Sequence, residues 1–516
     1  MLSSTLTSST LDSNPKSADK KLVIVLAGPT AVGKSSIGSI LCGQEMSTDI
    51  MKNHAIQNGM DIPKHLCSLG HIVSADSVQV YQGVQIGANK PTKEEMEKTP
   101  HHLVDIVDGD SVCQYNAADW MRDALFVIDN LHNYPEMKTD SKDEDQTEPN
   151  ENVDETKMRR NRITDYIQNQ FDQLKKDKVE DRKILPVVVG GTMMYLQWLV
   201  HGRPDAMKPS DAAVENAAAT IAQFQNEDNG VEDDEISPGW NAAVAHANSL
   251  GPVFAERVTK LQGKDWYRLR RILEVAYTVK DDTENKYSID ELYNGQRQGG
   301  LDSMEYDVRC FFLCPDDRMS HTSIVDCRCE EMIMKGLIRE TTDLRLSGLL
   351  PEEGQQARAI GYRQTLDYLK RNDFKPDDSV AFSQYLDEFT TATRRYAKKQ
   401  MQWFRRDEKF VFIPVKLSDT STVRSEAAAS LIRDLSILPR KDFDKELVHY
   451  STHVSGEVAN DLPISLRTKR ENEKQGKSMK FYIGKRHKLH ENSEEYEAVI
   501  QESNECTKKM IKSSSK

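Results

Sequence analysis

The feature that most restricts this chain is a short apolar run emptying into a glycine loop: KLVIVLAG, Lys21 to Gly28, continued by GPTAVGKS, Gly28 to Ser35. A run of this length, rich in Val and Ile and closed by glycine, predicts a strand buried on both faces of a parallel sheet. The loop fits G-x-x-x-x-G-K-[ST], a pattern that carries meaning only between a strand and a helix. A helix is predicted next, through Ile37, Ile40 and Leu41. In such a loop the glycines let backbone amides turn inward around phosphate oxygens, while the lysine adds a charge and the helix N-terminus its dipole. Gly28, Pro29, Thr30, Ala31, Val32, Gly33, Lys34 and Ser35 are therefore candidate phosphate-binding residues, with Ser35 the candidate Mg²⁺ ligand.

The loop does not say which phosphate compound it holds. An ATP-hydrolysing enzyme of this type has an apolar strand that ends in a metal-binding acid. The best such strand, LPVVVGGT, ends in Gly190, Gly191 and Thr192. The acid that does follow a comparable strand is Asp76, in IVSADSVQVY. It is open to three readings: a metal ligand, a base beside the phosphates, or a cap for the next turn.

Strands predicted at Gly70–Ser77, Ile184–Gly191, Val308–Pro315 and Lys409–Val415 alternate with helical patterns. That alternation predicts an α/β fold, a P-loop NTPase-like parallel sheet with flanking helices. The predicted organisation is a disordered leader over 1–20, a core over 21–205, a helical insertion over 206–265, and the rest of the core with further helices over 266–420. A mostly disordered charged tail is predicted over 421–516. Within the core, 43–70 reads as an insertion and 134–182 as an acidic linker centred on EMKTDSKDEDQTEPNENVDETK. Only 38% of the residues are hydrophobic, which agrees with disordered stretches. The net charge of −13 argues mildly against nucleic acid, but it is concentrated in such acidic segments and decides little. No apolar run of about 18 residues predicts a membrane span. The leader lacks the apolar stretch of a secretory signal, and scattered cysteines read as reduced thiols, so a cytoplasmic protein is expected, with a mitochondrial or plastid location as the alternative.

Taken in order, GPTAVGKS, IVSADSVQVYQGVQIGANKPT, HHLVDIV, VVVGGTMMYLQ, WYRLRRILEV, RAIGYRQTLDYL and ATRRYAKKQMQWFRR resemble the tRNA dimethylallyltransferase (IPP transferase) family over most of residues 21–415. The resemblance implies that the loop grips the pyrophosphate of dimethylallyl pyrophosphate with help from Mg²⁺. It further implies that N6 of adenine 37, flipped from a tRNA anticodon loop, attacks the dimethylallyl carbon, and that the helical insertion binds tRNA. Asp76 matches the family's general base, and an exocyclic adenine amine needs one, because its lone pair is delocalised into the ring. Thr30 and Arg328 are the further catalytic candidates. The family's R-x-x-x-R pattern reads here as IVDCRCEEMIMKGL, with Ile324 in the place of the first arginine.

For tRNA, the resemblance implicates Asp76, Ser77, Val78, Gln79 and Thr192 around the target base. Ser77 and Gln79 suit an unstacked base edge, whereas Thr192 reads equally well as an N-cap. It also implicates Tyr267, Arg268, Leu269, Arg270 and Arg271, and Arg358, Gly361, Tyr362 and Arg363. Arg268 and Arg271 share a helix face. Arg394, Arg395, Lys398 and Lys399 form a basic stripe that fits a phosphate backbone or simply a solvated face. The tail has His487 and His490 without a preceding C-x₂-C, so no zinc finger is expected. A monomer is expected. The competing readings are an isopentenyltransferase acting on free adenine nucleotides, a P-loop kinase or ATPase, and a binding protein that lost catalysis, against which the intact Asp76, Lys34 and Thr30 speak.

Overall fold

A computed structural model of the chain describes residues 20–43, 69–110, 115–136, 152–177, 183–204, 209–226, 238–259, 261, 265–281, 297–304, 306–352, 354–371, 379–447, 462–476, 479 and 482–514. Contacts divide it into two units, residues 1–200 with 304–516, and 201–303.

The larger unit begins with β1 (Lys21–Ala27), α1 (Lys34–Gly43), β2 (Leu69–Ala75), α2 (Lys93–Lys98), β3 (His101–His102), α3 (Ala117–Asn133), α4 (Asn152–Lys176), β4 (Ile184–Gly190) and α5 (Met193–His201). The smaller unit holds β5 (Arg203–Pro204), α6 (Asp211–Asn226), α7 (Pro238–Ser249), α8 (Pro252–Val258), α9 (Trp266–Asp281) and β6 (Arg297–Gln298). The larger unit resumes with β7 (Tyr306–Pro315), α10 (Arg318–Met334), α11 (Leu337–Leu346), α12 (Tyr362–Arg371), α13 (Ser379–Arg405) and β8 (Phe410–Val415). It ends with α14 (Ser421–Ile437), α15 (Arg440–Phe443), α16 (Ile464–Gln475) and α17 (Glu494–Ser514).

Six strands form one parallel sheet in the order β3-β2-β4-β1-β7-β8. The predicted α/β fold is therefore the observed one. Register does the positioning. Ala27 pairs with Gly190 and Gly190 with Ala75, so three adjacent strands end at the same level. The residues that follow, Gly28, Gly191 and Asp76, leave the sheet side by side at its carboxyl edge, where ligands of open α/β sheets bind. Gly190 cannot carry a side chain there, because an added Cβ would stand 2.2 Å from the Ala75 carbonyl oxygen.

Three sequence expectations are corrected. The tail after 420 is largely built into the fold. Ala428, Ala429, Ile432 and Leu435 of α14 are buried in the core cluster that contains Leu41, Leu313 and Val415. Alanines and serines hold four of the six buried positions on this helix, so its face does not stand out as an apolar stripe among its polar neighbours. Farther on, Ser465 at the start of α16 accepts a 3.0 Å hydrogen bond from the Phe412 amide of edge strand β8. The acidic linker is also partly ordered. In α4, Ile163, Ile167 and Phe171 recur one helical turn apart and are buried, and Arg159 donates to the buried Asp123 of α3 at 2.9 Å. Charged neighbours dilute that stripe in the sequence. Finally, α9 belongs to the smaller unit, which extends past the expected end at 265: it packs with α6, α7 and α8 through Leu269, Ile272, Leu273 and Ala276. The leader over 1–19, the insertion over 44–68 and the acidic centre over 137–151 lie outside the described residues. Among the described residues, no helix is long and apolar enough to cross a membrane.

Ile432 is fully buried. Ile432→Ala should lower unfolding free energy by about 2–5 kcal/mol, the usual cost of truncating a core aliphatic residue. Urea unfolding followed by circular dichroism measures it; a change below about 0.5 kcal/mol would mean that α14 is not part of the core.

Candidate functional site

The carboxyl edge carries a cavity of about 790 Å³ lined by Thr30, Lys34, Ser35, Asp76, Gln79 and Arg328 among others. Its floor is the glycine loop. Ala31 and Gly33 take left-handed backbone conformations, φ 63° and 99°, which turn the loop into a concave arrangement of amides of the kind that holds anions. A glycine suits the second position for that reason. Pro29 and Val32 are buried, so these two offer backbone only. The Lys34 ammonium donates to the carbonyls of Gly28 and Pro29 at 2.9 and 2.8 Å.

The loop is clamped from outside by two helices. Gln400 of α13, 1% exposed, accepts from the Thr30 amide at 2.9 Å and donates to the Gly191 carbonyl at 2.9 Å, tying the loop after β1 to the loop after β4. Tyr396, one turn earlier, donates to the same carbonyl at 3.3 Å. His321 of α10 contacts the Thr30 carbonyl at 2.9 Å through Nε2. A carbonyl only accepts, so Nε2 carries the proton. Burial, the Lys34 ammonium and the Arg318 guanidinium oppose a second charge and push the His321 pKa down to about 4, so the ring is neutral near pH 7. None of Gln400, Tyr396 and His321 was singled out from the sequence. Their only signal was a place one helical turn from the basic stripe, or ahead of Arg328, and polar residues there read as solvated.

Asp76 sits at the end of β2. Its Oδ1 accepts from the Val78 and Gln79 amides at 2.8 and 3.3 Å, so the capping geometry is present. Among the described residues, Oδ2 has no hydrogen-bond partner. Thr192 does more than open a helix: its hydroxyl accepts from the Ser77 amide at 3.1 Å and braces the Asp76 turn. The Gln79 amide is already engaged, accepting from Ser74 at 2.9 Å and donating to the Ala88 and Asn89 carbonyls at 3.2 and 3.1 Å. It shapes the wall instead of offering a free base-reading edge.

Arg328 lines the cavity from α10 and lies close enough to Lys34 and Asp76 for their charges to interact. Burial and the Arg328 charge together lower the Lys34 pKa to about 7, against the opposing pull of Asp76. Ser35 and Asp76, which carry a hydroxyl and a carboxylate, line the same cavity. That fits a Mg²⁺ ion completed by substrate phosphate, the usual mode for this cation; no group of three or more His, Cys, Asp or Glu forms an all-protein cage among the described residues.

The remaining expectations divide. Arg395, Lys398 and Lys399 are exposed on α13; Arg363 on α12 and Arg358 in the turn before it are exposed as well. Arg394 is not free for a phosphate backbone: it holds both oxygens of the buried Asp326 at 2.9 and 2.8 Å. Arg395 and Lys398, with Arg318 and Arg405, line a second, basic recess of about 450 Å³. Tyr362 is fully buried, its hydroxyl 2.5 Å from Glu340, and Gly361 is buried at φ 101°, so neither presents a side chain to RNA. In the smaller unit Tyr267 is 71% exposed, whereas Leu269 is fully buried because it belongs to the apolar stripe of α9. Arg268 pairs with Asp265, and Arg270 and Arg271 share the buried Glu274.

A profile of the IPP transferase family matches residues 79–137 and 142–407, more than half of the chain. The chain is 30% identical over 420 residues to tRNA dimethylallyltransferase 9 of Arabidopsis thaliana, spanning 76% of this chain and 70% of that protein. It is 27% identical over 406 residues to tRNA dimethylallyltransferase of Protochlamydia amoebophila, spanning 78% and 87%. A solved structure of a eukaryotic dimethylallyltransferase acting on tRNA superposes with a TM-score of 0.47 at 20% identity, covering 83% of this chain and 84% of that one.

A Lys34 pKa near 7 leaves the side chain mostly neutral at pH 8, and a bound diphosphate restores its charge. Binding of an alkyl diphosphate with Mg²⁺ at pH 8 should therefore take up close to one proton, with affinity falling as pH rises above about 7. Calorimetric titration in buffers of different ionisation enthalpy counts the protons. Lys34→Ala should abolish the uptake; heats independent of buffer in the unsubstituted protein would refute it.

Proposed function

The chain belongs to the IPP transferase family, and on that premise we propose that it transfers a dimethylallyl group from dimethylallyl pyrophosphate to N6 of adenine 37 in tRNA, giving i6A and pyrophosphate. The observation that carries this reading is the meeting of Lys34, Arg328 and Asp76 in one cavity: two cations and a carboxylate beside an anion-binding loop. The leaving group gains negative charge as its carbon–oxygen bond breaks, and preorganised donors that meet charge as it develops lower the barrier. Lys34, Arg328 and the loop amides occupy that role. Asp76 Oδ2 takes the proton that the amine loses as its nitrogen–carbon bond forms, while Oδ1 stays held by two amides. Thr30 is fixed through its backbone and lines the cavity.

Mg²⁺, held by Ser35 and the pyrophosphate, would supply further charge neutralisation to the leaving group. The exposed arginines and lysines of α13 offer contacts to the tRNA backbone, and a monomer suffices for every role assigned. Free thiols at the six described cysteines agree with a cytoplasmic enzyme. The helical unit and the tRNA-modifying relatives favour tRNA over a free adenine nucleotide as acceptor.

The test uses the full chain with labelled donor, Mg²⁺ and an anticodon stem-loop carrying adenines at 36–38, without ATP. Label should enter the stem-loop and not AMP; a strict ATP requirement, or transfer to AMP alone, would overturn the reading. Asp76→Ala should leave stem-loop affinity within about twofold and slow single turnover about a hundred-fold or more. Single-turnover rates near those of the unsubstituted enzyme would assign the base to another group.

A further inference from the structure

Residues 482–490 run along α10 on the side away from the cavity. Glu330, fully buried, accepts the amides of His487 at 3.0 Å, Lys488 at 2.6 Å and Leu489 at 2.9 Å. Asp326, 1% exposed, accepts from the Tyr482 hydroxyl at 2.6 Å while both its oxygens hold Arg394 of α13. Arg486 extends the attachment to α13, donating to the Ser383 hydroxyl at 3.0 Å and pairing with Asp387 at 3.0 Å. The segment is thus bonded to both helices that clamp the glycine loop.

The spacing along α10 gives these bonds their meaning. Asp326 and Glu330 each lie two residues from Arg328, and two residues turn an α-helix by about 200°. When Arg328 faces the cavity, both carboxylates face the opposite side. Three converging amides and a phenol hold that side through charge-assisted hydrogen bonds, the strong and directional kind. A helix fixed on its back can neither roll nor slide without breaking them, so its front side chain is held in place. The family profile ends at residue 407, well before this segment.

We propose that the segment around Tyr482 to Leu489 is a brace that positions Arg328 for the leaving pyrophosphate, with Tyr482, Asp326 and Glu330 as positioning residues for the transfer reaction. The inference rests on the role proposed for Arg328 in charge neutralisation. Charge stabilisation of a leaving group depends on preorganised geometry, and a displacement of about 1 Å costs a large part of it. Loosening the brace therefore slows the chemical step and leaves stem-loop affinity unchanged.

A double-mutant cycle tests this in the full-length enzyme. Arg328→Ala alone should lower the single-turnover rate at saturating donor and stem-loop; an unchanged rate would refute the assignment of Arg328, and this inference with it. Tyr482→Phe keeps the ring and removes one hydroxyl. It should slow single turnover about tenfold without raising KM for stem-loop. Glu330→Gln, which keeps the shape and weakens three bonds at once, should slow it further, and Tyr482→Phe covers the case in which that variant fails to fold. In the Arg328→Ala background Tyr482→Phe should cost less than about twofold, because the side chain it positions is gone. An equal loss in both backgrounds, or a loss expressed as a raised KM for stem-loop, would overturn the brace while leaving Arg328's own role intact.

Discussion

Three neighbouring strands stop at one level, and the site depends on that register. Ala27, Gly190 and Ala75 are paired across β1, β4 and β2, so the glycine loop, Gly191 and Asp76 emerge together. A slip of one residue in any strand would turn its side chains to the other face and move its end along the edge. The two glycines after β4 follow from the same closeness: Gly190 lies against the Ala75 carbonyl, and a Cβ on Gly191 would stand 2.3 Å from the Gln400 amide nitrogen. Gln400 then couples the loop to the sheet edge with one side chain, accepting on one side and donating on the other.

On this frame the protein gathers charges that resist being gathered. Lys34 and Arg328 repel each other in a buried place, and burial alone already opposes the ammonium. Such a cost is tolerated where a ligand offsets it, and the diphosphate proposed as donor would bring the missing negative charge. Asp76 attracts both cations, yet its position is set by backbone amides and by the Thr192–Ser77 bond, independent of either cation. The carboxylate therefore keeps its orientation when the charges around it change.

The same device recurs away from the site. Glu340 of α11 gathers the amides of Gln85, Ile86 and Gly87 at 3.2, 2.7 and 3.1 Å and the hydroxyl of Tyr362, and so holds the chain that leads into the cavity wall at Ala88 to Pro91. Glu330 does the same for 487–489. Carboxylates supplied with several donors let irregular chain be fixed firmly, which loops without regular ladders otherwise lack.

Strand–glycine–helix order made the glycine loop and the parallel sheet legible in the sequence, because both are local: a buried strand needs a continuous apolar run, and the loop needs glycine where φ is positive. Asp76 was legible as the acid that ends a strand, and Arg328 through the family pattern alone. What the sequence could not decide was which polar side chains point where. Gln400, His321 and Tyr482 read as solvated helix or tail residues until folding brings residues up to about 370 positions apart into contact. Tyr362 is implicated by the family resemblance and Arg394 by the basic stripe, and neither tells an exposed side chain from a buried one; Glu340 and Asp326, distant in sequence, settle them inside. The charged tail reads as disorder because its apolar faces are built from alanine, serine and isolated larger apolar residues such as Ile432. The local run of apolar side chains determines whether a segment could bury itself alone, whereas α14 and α16 are ordered by the core and the sheet edge they cover, surfaces that exist only once the rest of the chain has folded.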